Sequence, residues 1–301
     1  RDADLVIGAF SAASNVTGLV TDPDPVTRLL KAHGALAVWD YAGGGPYLPI
    51  DMSPGPDCLK DAVVLSPHKF PGGPGASGLL ILRDTLVQSS RPSQPGGGTV
   101  QFVSPWAHDY LARVEAREEA GTPNVLGDIR AALALIVKDV VGQDRIIDLD
   151  TRLRARAIAA WSDEPQLCLL GRPDAADALP ILSFTVRDRR GARVHHQLFT
   201  RMLSDFHGIQ ARGGCACAGP YAHRLLDIDA TRSEALRLAI REGRELDKPG
   251  WVRLNLSYLH TEAEVEAILS GVRDLLARLD DLIPLYDCDS RTARFSARAS
   301  A

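Results

Sequence analysis

"DAVVLSPHKFPGGPGASGLLIL" (Asp61–Leu82) holds two apolar runs separated by a lysine and a chain of prolines and glycines. The first run, ending at Leu65, is short, β-branched and continuous, as expected of a strand covered on both faces. The second, Leu79–Leu82, follows too soon for a helical crossover, which parallel pairing would require, so the two runs pair antiparallel. Between them Lys69 stands at a strand end beside a loop open enough for another molecule to approach. A surface lysine is the ordinary reading of such a position; a reactive amine is the other.

Working outward, "LVIGAF" (Leu5–Phe10) and "ALAVWD" (Ala35–Asp40) are further apolar runs, both read as buried strands. Between them, Asp24 can cap a helix, Pro25 suits its first turn and Gly34 its end. Strands alternating with helices give an α/β layer with a mostly parallel sheet. Leu126, Ile129, Leu133, Ile136 and Val140 recur at helical spacing, predicting a helix over 124–141. From about residue 145 the pattern becomes α+β. Helices are expected over 146–161 and over "HHQLFTRMLSDFHG", with strands at "PILSFTVR" and "WVRLNLSYL". Thr261 with Glu264 forms a capping box. The expected domains are 1–145, a large α/β domain; 146–290, a small α+β domain; and 291–301, a disordered tail.

The 301 residues are 45% hydrophobic and 24% charged, ample for one large or two modest cores. A net charge of −4 offers no reason to expect nucleic acid or an anionic membrane as partner. No apolar run approaches the roughly 18–20 residues that span a bilayer. The opening residues lack the pattern of a signal peptide, and five cysteines in a chain this long do not make a disulfide framework. A reduced, cytoplasmic setting is therefore expected.

Three polar features fall at the carboxyl ends of the parallel strands, where open α/β sheets bind ligands. They are Ser14–Asn15, Asp40, and Ser66 with His68 and Lys69. A lysine, a carboxylate, hydroxyls and glycine loops in one crevice are what pyridoxal phosphate requires. The lysine forms the Schiff base and the carboxylate keeps the pyridine nitrogen protonated. Taken singly, each residue has an ordinary role: Asp40 a cap or turn, His68 a bonded loop residue, Asn15 a turn former. Cys215 and Cys217 could be half of a zinc site, but no second pair accompanies them, so no metal is expected.

The motifs "SNVTG" (14–18), "VWDYAGG" (38–44), "SPHKFPGGPGASG" (66–78), "PGGGTV" (95–100), "EEAGTPN" (118–124), "ARGGCACAGP" (211–220) and "VRLNLSYLHTEAEVEAIL" (252–269) occur in that order. Together they resemble the class V aminotransferase and cysteine desulfurase group of pyridoxal-phosphate enzymes of fold type I. The resemblance implies Lys69 as the Schiff-base lysine, Asp40 as partner of the pyridine nitrogen, and Ser66 and His68 as phosphate ligands. It implies that Asn15 lies near cofactor and substrate, that Arg253 clamps the substrate carboxylate, and that Gly98 and Thr99 reach the neighbouring subunit's phosphate in a homodimer. The spacing Arg212, Cys217, Pro220 matches the SUF-type desulfurases, whose loop cysteine takes sulfur from substrate cysteine as a persulfide and passes it to an acceptor protein. Gly43 stands where these desulfurases usually carry glutamine or histidine. The family's ring-stacking residue and a further phosphate loop precede the stretch resembling residue 1, so the chain corresponds to the C-terminal three-fifths of a complete enzyme. The competing expectations are an aminotransferase, lyase or epimerase with another amino-acid substrate, and a shortened, non-catalytic chain.

Overall fold

The sheet expected around Asp61–Leu82 is present in the computed structural model, which describes residues 3–215 and 217–298. The chain divides into two compact units, Arg1–Ala12 with Thr21–Gln143, and Ala13–Val20 with Asp144–Ala301.

In the first unit, strands β1 (Ile7–Ser11), β2 (Leu36–Asp40), β3 (Ala62–Leu65) and β4 (Leu79–Leu82) lie side by side in sequence order. β1, β2 and β3 run parallel, with Ser11 opposite Asp40 and Asp40 opposite Val64. β4 returns antiparallel to β3, as the short loop demands. Helix α1 (Pro23–Ala32) makes the crossover from β1 to β2. Asp22 caps it by accepting from the Asp24 backbone N–H, and prolines occupy its first turn. Trp39, Tyr41, Val63 and Leu65 form the buried core of this unit. Lys60 is buried beside them and reaches Asp24 at 2.8 Å, an ion pair that removes the cost of an isolated buried charge. The expected burial of Leu5–Phe10 is not found. β1 is an edge strand among the described residues, and Leu5, Val6, Ile7 and Phe10 are exposed.

A hairpin, β5 (Val100–Val103) with β6 (His108–Tyr110), and helices α2 (Val114–Glu118) and α3 (Val125–Val141) complete the unit. Asn124 caps α3 by accepting from the Gly127 N–H. The stripe that makes α3 legible, Leu126 to Val140, faces outward: each of its five members is more than half exposed. The small residues Gly127, Ala131 and Ala134 are buried instead.

The second unit begins structurally with α4 (Gln143–Trp161), which opens one residue before the division, and contains strands β7 (Leu167–Leu169), β8 (Ile181–Arg187) and β9 (Arg193–Val194). Helix α5 (His196–His207) ends at Gly208, whose left-handed backbone (φ 66°) suits glycine. Then come β10 (Arg212–Gly214), α6 (Gly219–Leu225), α7 (Ala230–Arg241), β11 (Trp251–Asn255), α8 (Glu262–Ala277) and α9 (Leu279–Leu282). Strands β10-β11-β8-β7 form an antiparallel sheet whose apolar face packs with α4, α5 and α8 around Trp161, Phe184 and Phe199. The Thr261–Glu264 capping box is formed at the start of α8.

Two sequence expectations change here. Residues 13–20, expected in the large domain, belong to the second unit. Leu179 N–H donates to Gly18 at 2.8 Å, Val20 N–H to Asp177 at 3.0 Å, and the Ser183 hydroxyl to the Val16 carbonyl at 2.6 Å. The tail is also not wholly irregular: β12 (Tyr286–Asp289) pairs antiparallel with β13 (Arg294–Ala297), and Phe295 packs on the core. Residues 299–301 of that expectation lie outside the described residues.

Candidate active site

Asp40 is the last residue of β2 and Lys69 follows β3, so the parallel pairing of those strands brings both to one end of the sheet. One Asp40 oxygen accepts from the Ala42 N–H at 2.7 Å, which fixes the carboxylate; the other makes no hydrogen bond among the described residues. Beyond β3 the chain closes consecutive tight turns. Lys69 N–H donates to Ser66, Phe70 to Pro67, Gly73 to Phe70 and Ala76 to Gly73. Gly73 is required by close approach, because a Cβ there would lie 1.9 Å from the Pro67 carbonyl oxygen. The amino end of α3 holds the far side of this loop: Ser77 N–H donates to Gly127, and Asn124 to the Ser77 hydroxyl.

The chain has five lysines, and four are engaged. Lys31 pairs with Asp61, Lys60 with Asp24 and Lys248 with Glu245, while Lys138 donates to the carbonyls of Gly45 and Leu48. Lys69 is exposed and, among the described residues, is the one lysine without a side-chain partner. His68 is exposed beside it, and the Ser66 hydroxyl makes no capping bond.

Lys138 escapes the sequence reading. It projects from α3 to the loop that follows Asp40 and lies 5.9 Å from the ring centre of Phe70, the residue after Lys69. It thereby ties the aspartate loop to the lysine loop. Burial pushes its ammonium down to about 8, although the two carbonyl acceptors favour the charged form. Its signal in the sequence is faint, a lone lysine near the end of a largely apolar helix. In the loop 95–100, Gly98 is exposed with φ 85°. Thr99 is buried, and its hydroxyl donates to the Gly96 carbonyl at 2.7 Å.

The remaining residues singled out by the sequence lie in the second unit. Arg253 on β11 donates from Nη1 to the Asn15 carbonyl at 2.7 Å, so these two are brought together. Arg212 on β10 is the register partner of Arg253. Beneath β10 the His196 ring takes the space two glycines leave: a Cβ on Gly250 would sit 2.6 Å from Cε1, and one on Gly213 3.0 Å from Cδ2. Burial, then the neighbouring His195 and Arg193, push His196 down to about 3, so the ring is neutral. β10 delivers the chain to Cys215, half-buried, and to Cys217, exposed with φ 61°. All five cysteines are free thiols, and no metal-binding group of three or more His, Cys, Asp or Glu occurs among the described residues.

Residues 2–268 match the aminotransferase class-V family. The chain belongs to that family. A cysteine desulfurase of Serratia proteamaculans is 30% identical over 272 residues, covering 90% of this chain and 59% of that protein. A probable cysteine desulfurase of Streptomyces coelicolor is 26% identical over 264 residues, 88% of this chain and 56% of that protein. The cysteine desulfurase of Thermococcus onnurineus superposes with a TM-score of 0.74 at 24% identity, over 90% of this chain and 60% of its own. At that identity the likeness establishes the fold, the mixed α/β architecture of fold type I. This class-V family member thus spans under two-thirds of the length of the relatives it matches. Among the described residues no helix is long and apolar enough to cross a membrane.

Proposed function

We propose that this chain carries the lysine, carboxylate and thiol of a pyridoxal-phosphate-dependent enzyme that takes sulfur from cysteine. One observation carries the reading: among the described residues, of five lysines only Lys69 has an unengaged, exposed amine, and it stands at the strand ends with Asp40. The first unit's residues fit the cofactor. Asp40 keeps one oxygen unengaged for a protonated ring nitrogen, and Ser66 with His68 offers donors for a phosphate. The closely approaching Gly73 lets the lysine loop fold back tightly. When bound, pyridoxal phosphate supplies an electron sink for the substrate's α-carbon.

The chain's own residues divide the remaining work. Lys69 would hold the cofactor when it is bound, and its free amine would then be placed to move the substrate's α-proton. Arg253, its guanidinium fixed by the Asn15 carbonyl, holds the substrate carboxylate through its planar fork of donors. Cys217, exposed on its loop, takes the sulfur as a persulfide. The reading extends to a homodimer in which the exposed Gly98 turn serves the neighbouring subunit's phosphate. It includes a sulfur-accepting protein docking at Cys217, and a cytoplasmic setting in which five free thiols stay reduced.

The test is cysteine turnover by the protein supplied with pyridoxal phosphate and a thiol reductant. Matched alanine and sulfide, both lost in Lys69→Ala, with sulfide lost in Cys217→Ser, is the expected result. A keto acid, or sulfide production unchanged by Cys217→Ser, would overturn the assignment.

A further inference from the structure

Cys215 has no role in the reaction above, yet the fold treats it differently from Cys217. Gly214, with φ 128°, turns the chain out of β10, and Cys215 then packs against the buried cluster of Val16, Ala222 and Trp251. The Trp251 Nε1–H at that cluster is buried with no hydrogen-bond partner among the described residues. The Ala218 N–H donates back to the Cys215 carbonyl at 3.0 Å. Cys217 takes the left-handed conformation and is exposed. One thiol is therefore seated on the core while the other is presented outward, two residues along the chain. Two residues span at most about 7 Å of chain, at the upper end of the Cα separation a disulfide tolerates.

We propose that Cys215 is a resolving thiol: it attacks the inner sulfur of a Cys217 persulfide and expels the outer sulfur as hydrosulfide. This rests on Cys217 being the sulfur acceptor. The Cys215 thiolate forms the new S–S bond, the bond between the two Cys217 sulfurs breaks, and its electron pair leaves on the outer sulfur, which takes up a proton. The sulfane sulfur is reduced to sulfide and the two cysteines are oxidised to a disulfide. A small-molecule thiol or dithiol must then reduce that disulfide before another turnover. The short tether makes the attack intramolecular: once the Cys215 thiol leaves the core to meet the persulfide, its effective concentration is about millimolar or above. The chain would then release sulfide itself when no acceptor has taken the persulfide.

The experiment needs neither cysteine nor cofactor. The full protein is reduced, loaded with inorganic tetrasulfide, freed of excess, and followed by sulfide release and by mass spectrometry of the tryptic peptide Gly213–Arg224, which contains both cysteines. In the native sequence the peptide should lose the added sulfur and end two hydrogens lighter than the dithiol, with one sulfide released per disulfide. In Cys215→Ser and Cys215→Ala, circular dichroism serving as the fold control, the added sulfur on Cys217 should persist about tenfold longer or more. Equal persistence in the native protein and both variants, with no disulfide in the peptide, would overturn the proposal. If tetrasulfide gives the disulfide but cysteine with cofactor never loads Cys217, the resolving chemistry stands and the desulfurase reading fails. The reverse pattern refutes only the role of Cys215.

Discussion

Asp150 offers a quantitative test of the second unit. It lies on α4 at 3% exposure, and no side chain hydrogen-bonds its carboxylate among the described residues. Arg154, one turn along, is directed instead to the carbonyls of Leu179 and Arg172. Burial raises the Asp150 carboxyl to about 7, with the Tyr258 backbone N–H opposing it weakly. The folded protein therefore holds a proton that the unfolded chain, with an aspartate near 3.9, releases. Stability from this group is full below the unfolded value and is lost as pH rises through the folded value. A shift of about three units corresponds to a penalty of about 4 kcal/mol above pH 7, most of it accumulated between pH 5 and 7. Asp150→Asn keeps the shape of the protonated acid and cannot ionise. Its stability advantage over the native sequence should grow by about 3 kcal/mol from pH 5 to pH 8, measured by urea unfolding at both pH values. Parallel pH dependence in the two proteins would refute the reasoning, because it would mean that Asp150 is already charged and satisfied at pH 5.

Three other substitutions probe the elements that position the candidate site. Gly73→Ala drives a Cβ into the Pro67 carbonyl, so it should cost about 1–3 kcal/mol and weaken cofactor uptake at Lys69, measured by fluorescence titration. Gly72→Ala, strained by its φ of 76° but with open space around it, is the control and should leave uptake closer to native. Lys138→Met strands the Gly45 and Leu48 carbonyls and should lower the urea midpoint by the equivalent of about 1–3 kcal/mol, with weaker cofactor binding. Thr261→Ala removes the capping box of α8 and should cost about 1 kcal/mol in the same unfolding assay, without altering cofactor binding.

The parallel sheet and its antiparallel return were legible because they depend on local features: short apolar runs, and a loop between Leu65 and Leu79 too short for a crossover. The capping box at Thr261 was legible for the same reason, whereas the cap of α1 is Asp22 and not the expected Asp24, which instead donates its backbone N–H to it. What escaped depends on distant partners. Residues 13–20 fall after the first strand, within the expected large domain, yet their hydrogen bonds go to Asp177, Leu179 and Ser183, about 160 positions away. Helix α7 has an Asp229 cap, but its larger apolar residues are few, so they give no clear stripe. The Lys69 motif announced a lysine at a strand end; that its amine alone among the five lacks a side-chain partner among the described residues emerges only from where the others fold. The outward-facing stripe on α3 shows the same limit, since periodicity reveals a helix and not which of its faces is covered.

The most direct measurement is to mix the protein with pyridoxal phosphate, reduce it with borohydride, and map the pyridoxyl group by peptide mass spectrometry. The account predicts stoichiometric labelling at Lys69, little at Lys31, Lys60, Lys138 or Lys248, and loss of the label when Asp40 is replaced by alanine. Labelling spread over several lysines, or concentrated on one of the four engaged amines, would contradict it.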